Sequence, residues 1–143
     1  MKLLLLVTLA FVACTKATPQ KSDPLVEEFR ATERTCIAAF NDDLARQRAN
    51  QIDELGLAQA IEHDVLGPWR AVRDKVNASP KTDELYTTLR KYLDARQVAW
   101  EAYVAALRAD SEAAARPHYD VYHQKHAEAQ DLARELGRLF RSM

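Results

Sequence analysis

The chain has 143 residues, enough for one domain of ordinary size. Hydrophobic residues make up 48 % of the sequence and charged residues 29 %, which excludes the high-charge, low-hydrophobicity composition of a disordered chain. The formal net charge is −1, and this balance argues against nucleic-acid binding, which requires a clustered positive field.

Composition also predicts the fold class. The sequence has only three glycines and is rich in alanine, leucine, arginine and glutamate, which all form helices readily. After residue 20 no run of β-branched residues has the alternating pattern of a half-buried strand. We therefore expect an all-α fold.

The first residues have the composition of an export signal. Lys2 provides a basic start, and Leu3 to Ala13 form a run of 11 residues that is apolar except for Thr8. This run is too short for a transmembrane helix, which needs about 20 residues, but it fits the hydrophobic region of a signal peptide.

The end of this run carries a more specific pattern, Phe11-Val12-Ala13-Cys14. It resembles the lipobox of bacterial lipoproteins, in which a small residue precedes a cysteine that is diacylated on sulfur before the signal peptide is removed. Phe11 occupies the position where leucine is usual. The resemblance implies lipidation of Cys14 and anchoring to the membrane, and Thr15 in place of aspartate favours the outer over the inner membrane.

On this interpretation residues 1–13 are the signal peptide, residues 14–23 a polar lipidated tether, and residues 24–143 the helical domain. Cleavage after Ala17, or an uncleaved anchor, is the alternative. If Cys14 is acylated, Cys36 is the remaining cysteine. Its place on a helical apolar stripe favours a small buried hydrophobe, with a redox or partner-linking thiol as the alternative.

The first two of four predicted helices lie on either side of Asn50-Gln51. The first runs from Pro24 to about Ala49, with Asp23 as its N-cap. The second starts near Asp53, and its apolar residues recur at steps of three and four, the spacing of one helical face. Because proline removes a backbone donor and clashes with the preceding turn, Pro68 predicts a kink or short break.

The third helix is predicted from Lys81 to Ala109, with Ser79 or Thr82 as its cap. The fourth is capped by Asp110 or Ser111 and reaches about Phe140, and Pro117 either kinks it or marks its true start. Residues of the fourth helix follow a seven-residue repeat typical of left-handed bundle packing. They are Ala115, Tyr119, Tyr122, His126, Ala129, Ala133, Leu136 and Phe140.

Short connections between long helices force neighbours to run antiparallel. Helices of roughly 25–30 residues are about 37–45 Å long at 1.5 Å per residue. The sequence therefore predicts an antiparallel up-down four-helix bundle. A less regular bundle follows if the kinks at Pro68 and Pro117 are sharp.

A buried arginine is the main candidate for a functional position. At 100° per residue Arg96 lies at the centre of the apolar stripe of the third helix. A buried guanidinium requires a partner, so we expect Arg96 to hydrogen-bond Glu62, Glu33 or Asp43. Counting turns places Tyr122 and His126 of the fourth helix at the same height as Arg96. His118, Tyr122 and His126 are expected to face the bundle together.

This polar layer has two interpretations. The structural one is a satisfied layer that fixes the helix register, with an arginine whose stem packs inside. The functional one is an anion or metal pocket in the bundle core. His123 and His126, three residues apart, are weak candidates for metal ligands because they could share one ion.

Sequence signatures of enzymes are missing from the chain. There is no nucleophile elbow, glycine-rich phosphate loop or HExxH motif, and no motif for covalent haem or a di-iron centre. We expect no catalytic residue, no cofactor and no enzymatic activity. The sequence predicts a membrane-anchored envelope lipoprotein whose helical domain binds or scaffolds another protein. The alternative is a periplasmic carrier of a small ligand, metal or haem.

Overall fold

The computed structural model describes residues 23–142, and every regular element in that range is helical. The elements are α1 (Pro24–Arg48), α2 (Glu54–Ala60), a π-helical segment (Ile61–Leu66), α3 (Gly67–Ala78), α4 (Glu84–Leu107) and α5 (Glu112–Arg141). The predicted signal peptide, Cys14 and all of the tether before Asp23 lie outside the described residues. Within the described range no helix combines the length and hydropathy needed to span a bilayer.

The helix backbone continues from α2 through the π-helical segment into α3, so these three elements form one rod. The chain is thus an antiparallel four-helix bundle, as predicted. Cys36 of α1 contacts Val65, Arg73 of α3 contacts Asp94 of α4, and Arg96 of α4 contacts His126 of α5.

Aspartate and serine side chains begin three of the helices as the sequence predicts. The Asp23 carboxylate accepts the Leu25 N–H at 3.0 Å, and Asp53 accepts the Gly56 N–H at 2.7 Å. Ser111 accepts the Ala114 N–H at 3.2 Å, which makes Ser111 rather than Asp110 the cap of α5. Each side chain satisfies a backbone donor that the helix itself leaves free.

The predicted start of the third helix is wrong. The cap of α4 is Asp83, whose carboxylate accepts the Tyr86 N–H at 3.0 Å, and not Ser79 or Thr82. A carboxylate is the stronger acceptor and also favours the positive end of the helix dipole. The helix consequently begins at Glu84 rather than Lys81, and it ends at Leu107.

The irregularity predicted at Pro68 is a π-helical segment directly before it. The Gly67 N–H bonds to the Glu62 carbonyl, five residues back, where an α-helix would use a carbonyl four residues back. Pro68 has no N–H to donate and occupies the first turn of α3, where proline is tolerated. By contrast, Pro117 lies inside α5, which begins five residues earlier and continues to Arg141, so it does not mark the helix start.

The core is aromatic at its centre. Trp69 of α3 and Phe29 of α1 each contact the Tyr92 ring of α4, with centroids 5.9 Å apart in both pairs. The Trp69 indole N–H also donates to the Leu93 carbonyl at 3.0 Å. Phe40 of α1 reaches Trp100 of α4 at 5.9 Å, so aromatic side chains fill the diagonal between these two helices.

One side of the bundle is closed by side chains alone. The Cα atoms of α1 and α5 nowhere approach within 8 Å, whereas α5 packs along α4. At one end the Arg30 guanidinium lies 5.2 Å from the Phe140 ring and bridges the two helices. We call this gap the α1–α5 seam and define it by Glu33 and Phe40 of α1 and by Tyr122 and His126 of α5.

Candidate functional site

Arg96 lies inside the bundle, as predicted. Only 8 % of the residue is exposed, and α4 directs its side chain between two aromatic rings. The guanidinium carbon lies 5.5 Å from the Tyr92 ring centroid and 5.6 Å from that of Trp100. Both rings present the negative face of their π-systems to the cation, which offsets part of the cost of burying it.

The expected hydrogen bond from Arg96 to a carboxylate is wrong. Arg96 Nη1 lies 3.0 Å from Nδ1 of His126, and Nη2 donates to the Tyr92 hydroxyl at 3.5 Å. None of Glu62, Glu33 and Asp43 accepts directly from it. Its Nε atom is fully buried and has no hydrogen-bond partner among the described residues.

Burial and the neighbouring Arg96 both favour the neutral form of His126. Burial lowers the pKa of His126, and the positive charge of Arg96 and the proximity of His123 lower it further. A neutral ring that accepts from Arg96 at Nδ1 carries its proton on Nε2. Nε2 lies 3.0 Å from Nε2 of Gln130, one turn further along α5, and for this histidine tautomer the Gln130 amide must be turned over so that its Oε1 accepts.

Glu33 joins the site through a second residue. The Tyr92 hydroxyl donates to Glu33 Oε1 at 2.5 Å, so the carboxylate and the guanidinium are connected by one tyrosine. Burial raises the pKa of Tyr92, whereas the nearby Arg96 acts to lower it, and the hydroxyl stays protonated. We call Arg96, Tyr92, Glu33, His126 and Gln130 the Arg96 cluster.

Tyr122 borders the Arg96 cluster on α5. Its ring lies 5.5 Å from the His126 ring and 5.0 Å from the Tyr103 ring. Burial raises the pKa of Tyr122, and the Arg96 charge opposes that shift. Within the described chain its hydroxyl makes no hydrogen bond to another residue. Tyr122 therefore lies in the seam with a free donor and acceptor.

Glu62 and Asp43 lie outside the Arg96 cluster. Glu62 accepts from Arg70 at 2.9 Å, and Arg70 also donates to Glu101 at 2.9 Å, so this carboxylate faces the outside of α3 and α4. Asp43 is buried with 2 % exposure and pairs with Arg46 of its own helix at 3.2 Å. Its Oδ2 atom has no partner in the described part of the chain.

The histidines of α5 differ in their exposure. The sequence predicts that His118 faces the bundle together with Tyr122 and His126. This prediction is wrong for His118, which is exposed. His123 is also exposed, and its ring contacts Tyr122 at 5.2 Å. Among residues 23–142 no three histidine, cysteine, aspartate or glutamate side chains come together to hold an ion.

Sequence reasoning missed two members of the cluster. Tyr92 lies four residues before Arg96 on the apolar stripe of the third helix, and its phenol carries a hydroxyl that needs a partner once buried. Gln130 follows His126 by four residues, a spacing that places two side chains next to each other on a helix. The burial of Tyr92 beside Arg96 and this spacing are the two signals that point to them.

Comparison with known proteins adds no family to these observations. No protein-family model matches the chain. No match was found among curated proteins. Nor was any found among solved structures.

Proposed function

We propose that the chain is a lipid-anchored lipoprotein of the bacterial envelope whose helical bundle is a non-enzymatic binding module. The observation that carries the proposal is the pattern Phe11-Val12-Ala13-Cys14 at the end of an apolar run. The helical domain that begins at Asp23 fits it, because a polar stretch of ordinary tether length separates the two. Thr15 after the cysteine supports the outer membrane as the destination.

The surface of the domain gives little support to a protein-scaffolding role. In the described residues the exposed large apolar side chains are Ile37, Leu55, Val98 and Val121, each on a different helix. Single exposed apolar residues of this kind are ordinary on monomers, whereas docking surfaces are contiguous patches. A scaffolding partner would therefore have to recognise polar surface, and we keep this role as the general form of the proposal.

The Arg96 cluster favours a second form, in which the bundle carries a small anionic ligand. Arg96 is a buried permanent cation with no carboxylate bonded to it directly. An unpaired buried charge costs several kcal/mol, and the carboxylate of a bound ligand would lower that cost. This observation supports ligand binding in the bundle over a purely structural layer.

The anchor is tested by replacing one cysteine at a time in the full chain expressed in a bacterial host. With Cys14→Ser we expect loss of radiolabelled palmitate incorporation and release of the protein from the membrane fraction. Cys36→Ser is the matched control, because it makes the same chemical change at a buried position. This control should keep both the label and the membrane association.

Two results would contradict the anchoring proposal. One is a Cys14→Ser protein that stays in the membrane fraction after high-salt and carbonate washing. The other is palmitate label that persists in that variant. Either result would favour cleavage after Ala17 with another mode of retention, or an uncleaved apolar anchor.

A further inference from the structure

We propose that Arg96 binds the carboxylate of a ligand with an apolar or aromatic body in the α1–α5 seam. The inference rests on the second form of the proposed function and specifies its ligand class.

The guanidinium of Arg96 has more donors than acceptors around it. Of its five N–H bonds, one from Nη1 meets His126 and one from Nη2 meets the Tyr92 hydroxyl at the long distance of 3.5 Å. Nε is buried and unpartnered in the described chain. Nε and Nη2 present parallel N–H bonds along one edge of the plane, which is the two-point arrangement that a carboxylate accepts.

Other arginines of the bundle show how this chain satisfies such a group. Arg90, which is half-buried on α4, donates to the backbone carbonyls of Val76, Ser79 and Lys81. Arg70 donates to two carboxylates, each at 2.9 Å. Arg96 is the most buried of these three residues, and it alone bonds to neither a carboxylate nor a backbone carbonyl, so the deficit is specific to this site.

The surroundings of Arg96 indicate the body of the ligand. Trp100 lies under the guanidinium, and Phe40 contacts both Trp100 at 5.9 Å and Tyr103 at 5.7 Å. Tyr103 in turn contacts Tyr122 of α5 at 5.0 Å. These rings form a continuous cluster from Arg96 to the seam, in which Phe40 and Trp100 are buried and Tyr103 and Tyr122 are half-buried. A carboxylate on an aromatic or alkyl body can bury that body against the two half-buried rings while its oxygens meet the guanidinium.

Entry is provided by the seam between α1 and α5, which backbone packing does not close. Glu33, Tyr122 and His126 line it and are half-buried, so each has solvent on one side. Because Nε of Arg96 is fully buried, one of these side chains must change its rotamer before a ligand can reach the Nε–Nη2 edge of the guanidinium. Glu33 is the one that opposes the ligand, since its own charge lies one tyrosine away from Arg96.

The experiment measures binding by isothermal titration calorimetry on the full chain in detergent. Sodium benzoate and sodium octanoate are the probes, benzamide is the uncharged isostere, and inorganic phosphate is the alternative anion. We expect saturable binding of at least one carboxylate and none of benzamide or phosphate. The quenching of Trp100 fluorescence offers a second readout, because its ring contacts the Arg96 cation.

Three variants test the residues. Arg96→Met should weaken carboxylate binding on the order of ten- to a hundredfold, the usual range for charge-assisted hydrogen bonds. Tyr122→Phe keeps the ring contacts and should weaken binding a few-fold. Glu33→Gln keeps an acceptor for Tyr92 but removes the opposing charge, so binding should tighten. Arg134→Met is the control, because it removes one exposed positive charge of α5 away from the cluster.

The proposal is overturned if neither carboxylate binds, if benzamide or phosphate binds as well as benzoate, or if all variants bind like the wild type. Should Arg96→Met fail to fold, Tyr122→Phe and Glu33→Gln decide, since a purely structural layer predicts no change in either. The outcome of these binding experiments does not affect the outcome of the palmitate and fractionation assays, which test the anchor alone. A failure here with a lipidated, membrane-bound protein therefore refutes the ligand site and not the anchor.

Discussion

Arg96 Nη1 and His126 Nδ1 face each other across 3.0 Å, which makes a permanent cation the hydrogen-bond donor to a histidine that must stay neutral. Protonation of the ring would replace an acceptor with a second positive charge. The groups against His126 are Arg96 from α4 and Tyr122, His123 and Gln130 from its own helix. None of these is a carboxylate, and Glu33 of α1 is joined to Arg96 only through Tyr92.

The first prediction concerns acid sensitivity. In the native chain the pKa of His126 lies below its ordinary value of 6.5, so the unfolded chain takes up this proton at higher pH than the bundle does. The stabilising contribution is therefore present above pH 6.5 and is lost as the pH falls from there through the native pKa. The free energy of unfolding, measured by urea titration at several pH values, should fall across this window.

His126→Gln should flatten that fall, because glutamine can accept from Arg96 but does not titrate. His118→Gln, at an exposed position of the same helix, is the control and should leave the pH profile as in the wild type. A profile for His126→Gln that matches the wild type would show that another group is responsible.

The second prediction concerns a buried carboxylate. Burial raises the pKa of Asp43, the nearby Asp64 raises it further, and Arg46 acts in the opposite direction. A raised native pKa means that the bundle gains stability as the pH falls through that value from neutral. Asp43→Asn should therefore be at least as stable as the wild type at pH 7. Because asparagine does not titrate, this variant should lack the gain in stability that the wild type shows on acidification. Asp42→Asn, at the exposed neighbouring position, is the control and should keep the gain on acidification. Urea titrations at matched pH values compare the two variants. Marked destabilisation of Asp43→Asn would contradict the argument.

The third prediction separates two buried tryptophans. The Trp69 indole donates to the Leu93 carbonyl at 3.0 Å, whereas that of Trp100 donates to no residue of the described chain. Both phenylalanine variants lose packing, but Trp69→Phe also loses this hydrogen bond. It should be less stable than Trp100→Phe by about 1 kcal/mol, the net value of a buried hydrogen bond. Denaturation followed by circular dichroism measures the difference, and equal stability would assign no net value to the bond.

The fourth prediction concerns the reactivity of Cys36. The residue is fully buried, its thiol lies 3.5 Å from the Val65 carbonyl, and burial raises its pKa to about 11. Since the thiolate is the reactive form, a buried thiol with this pKa should react slowly with Ellman's reagent. In the Cys14→Ser chain, labelling should become rapid only in guanidinium chloride. Rapid labelling of the native protein would instead support the redox alternative.

Helix content, helix order and three of the four caps could be predicted because they depend on local sequence. The spacing of apolar residues, the Asp23-Pro24 start and the heptad repeat each act within a few residues of one another. The burial of Arg96 followed from the same periodicity. The cap Asp83 could not be predicted, because Ser79, Thr82 and Asp83 are all residue types that cap helices well. The backbone path of this connection determines which of the three begins the helix.

The partners of Arg96 could not be predicted, because they depend on the relative heights of different helices. Counting turns assumed a uniform rise, and Glu62 lies inside the π-helical segment, where a turn holds more residues than in an α-helix. Glu62 consequently faces Arg70 and Glu101. His126 was placed at the correct height because α4 and α5 pack along each other without such an interruption.

The fixing of Asp23 has a consequence for how an anchored protein would stand on a bilayer. Asp23 accepts a hydrogen bond from Tyr86 at 2.8 Å and pairs with Lys81, so the start of α1 is fastened to the connection between α3 and α4. A lipid on Cys14 would place this end of the bundle next to the headgroups. The connections at the other end, after α1 and after α4, would then lie farthest from the membrane. At 1.5 Å per residue, Arg96 would then lie about 18 Å from the start of α4 along the helix axis, inside the bundle and beyond the level of the acyl chains.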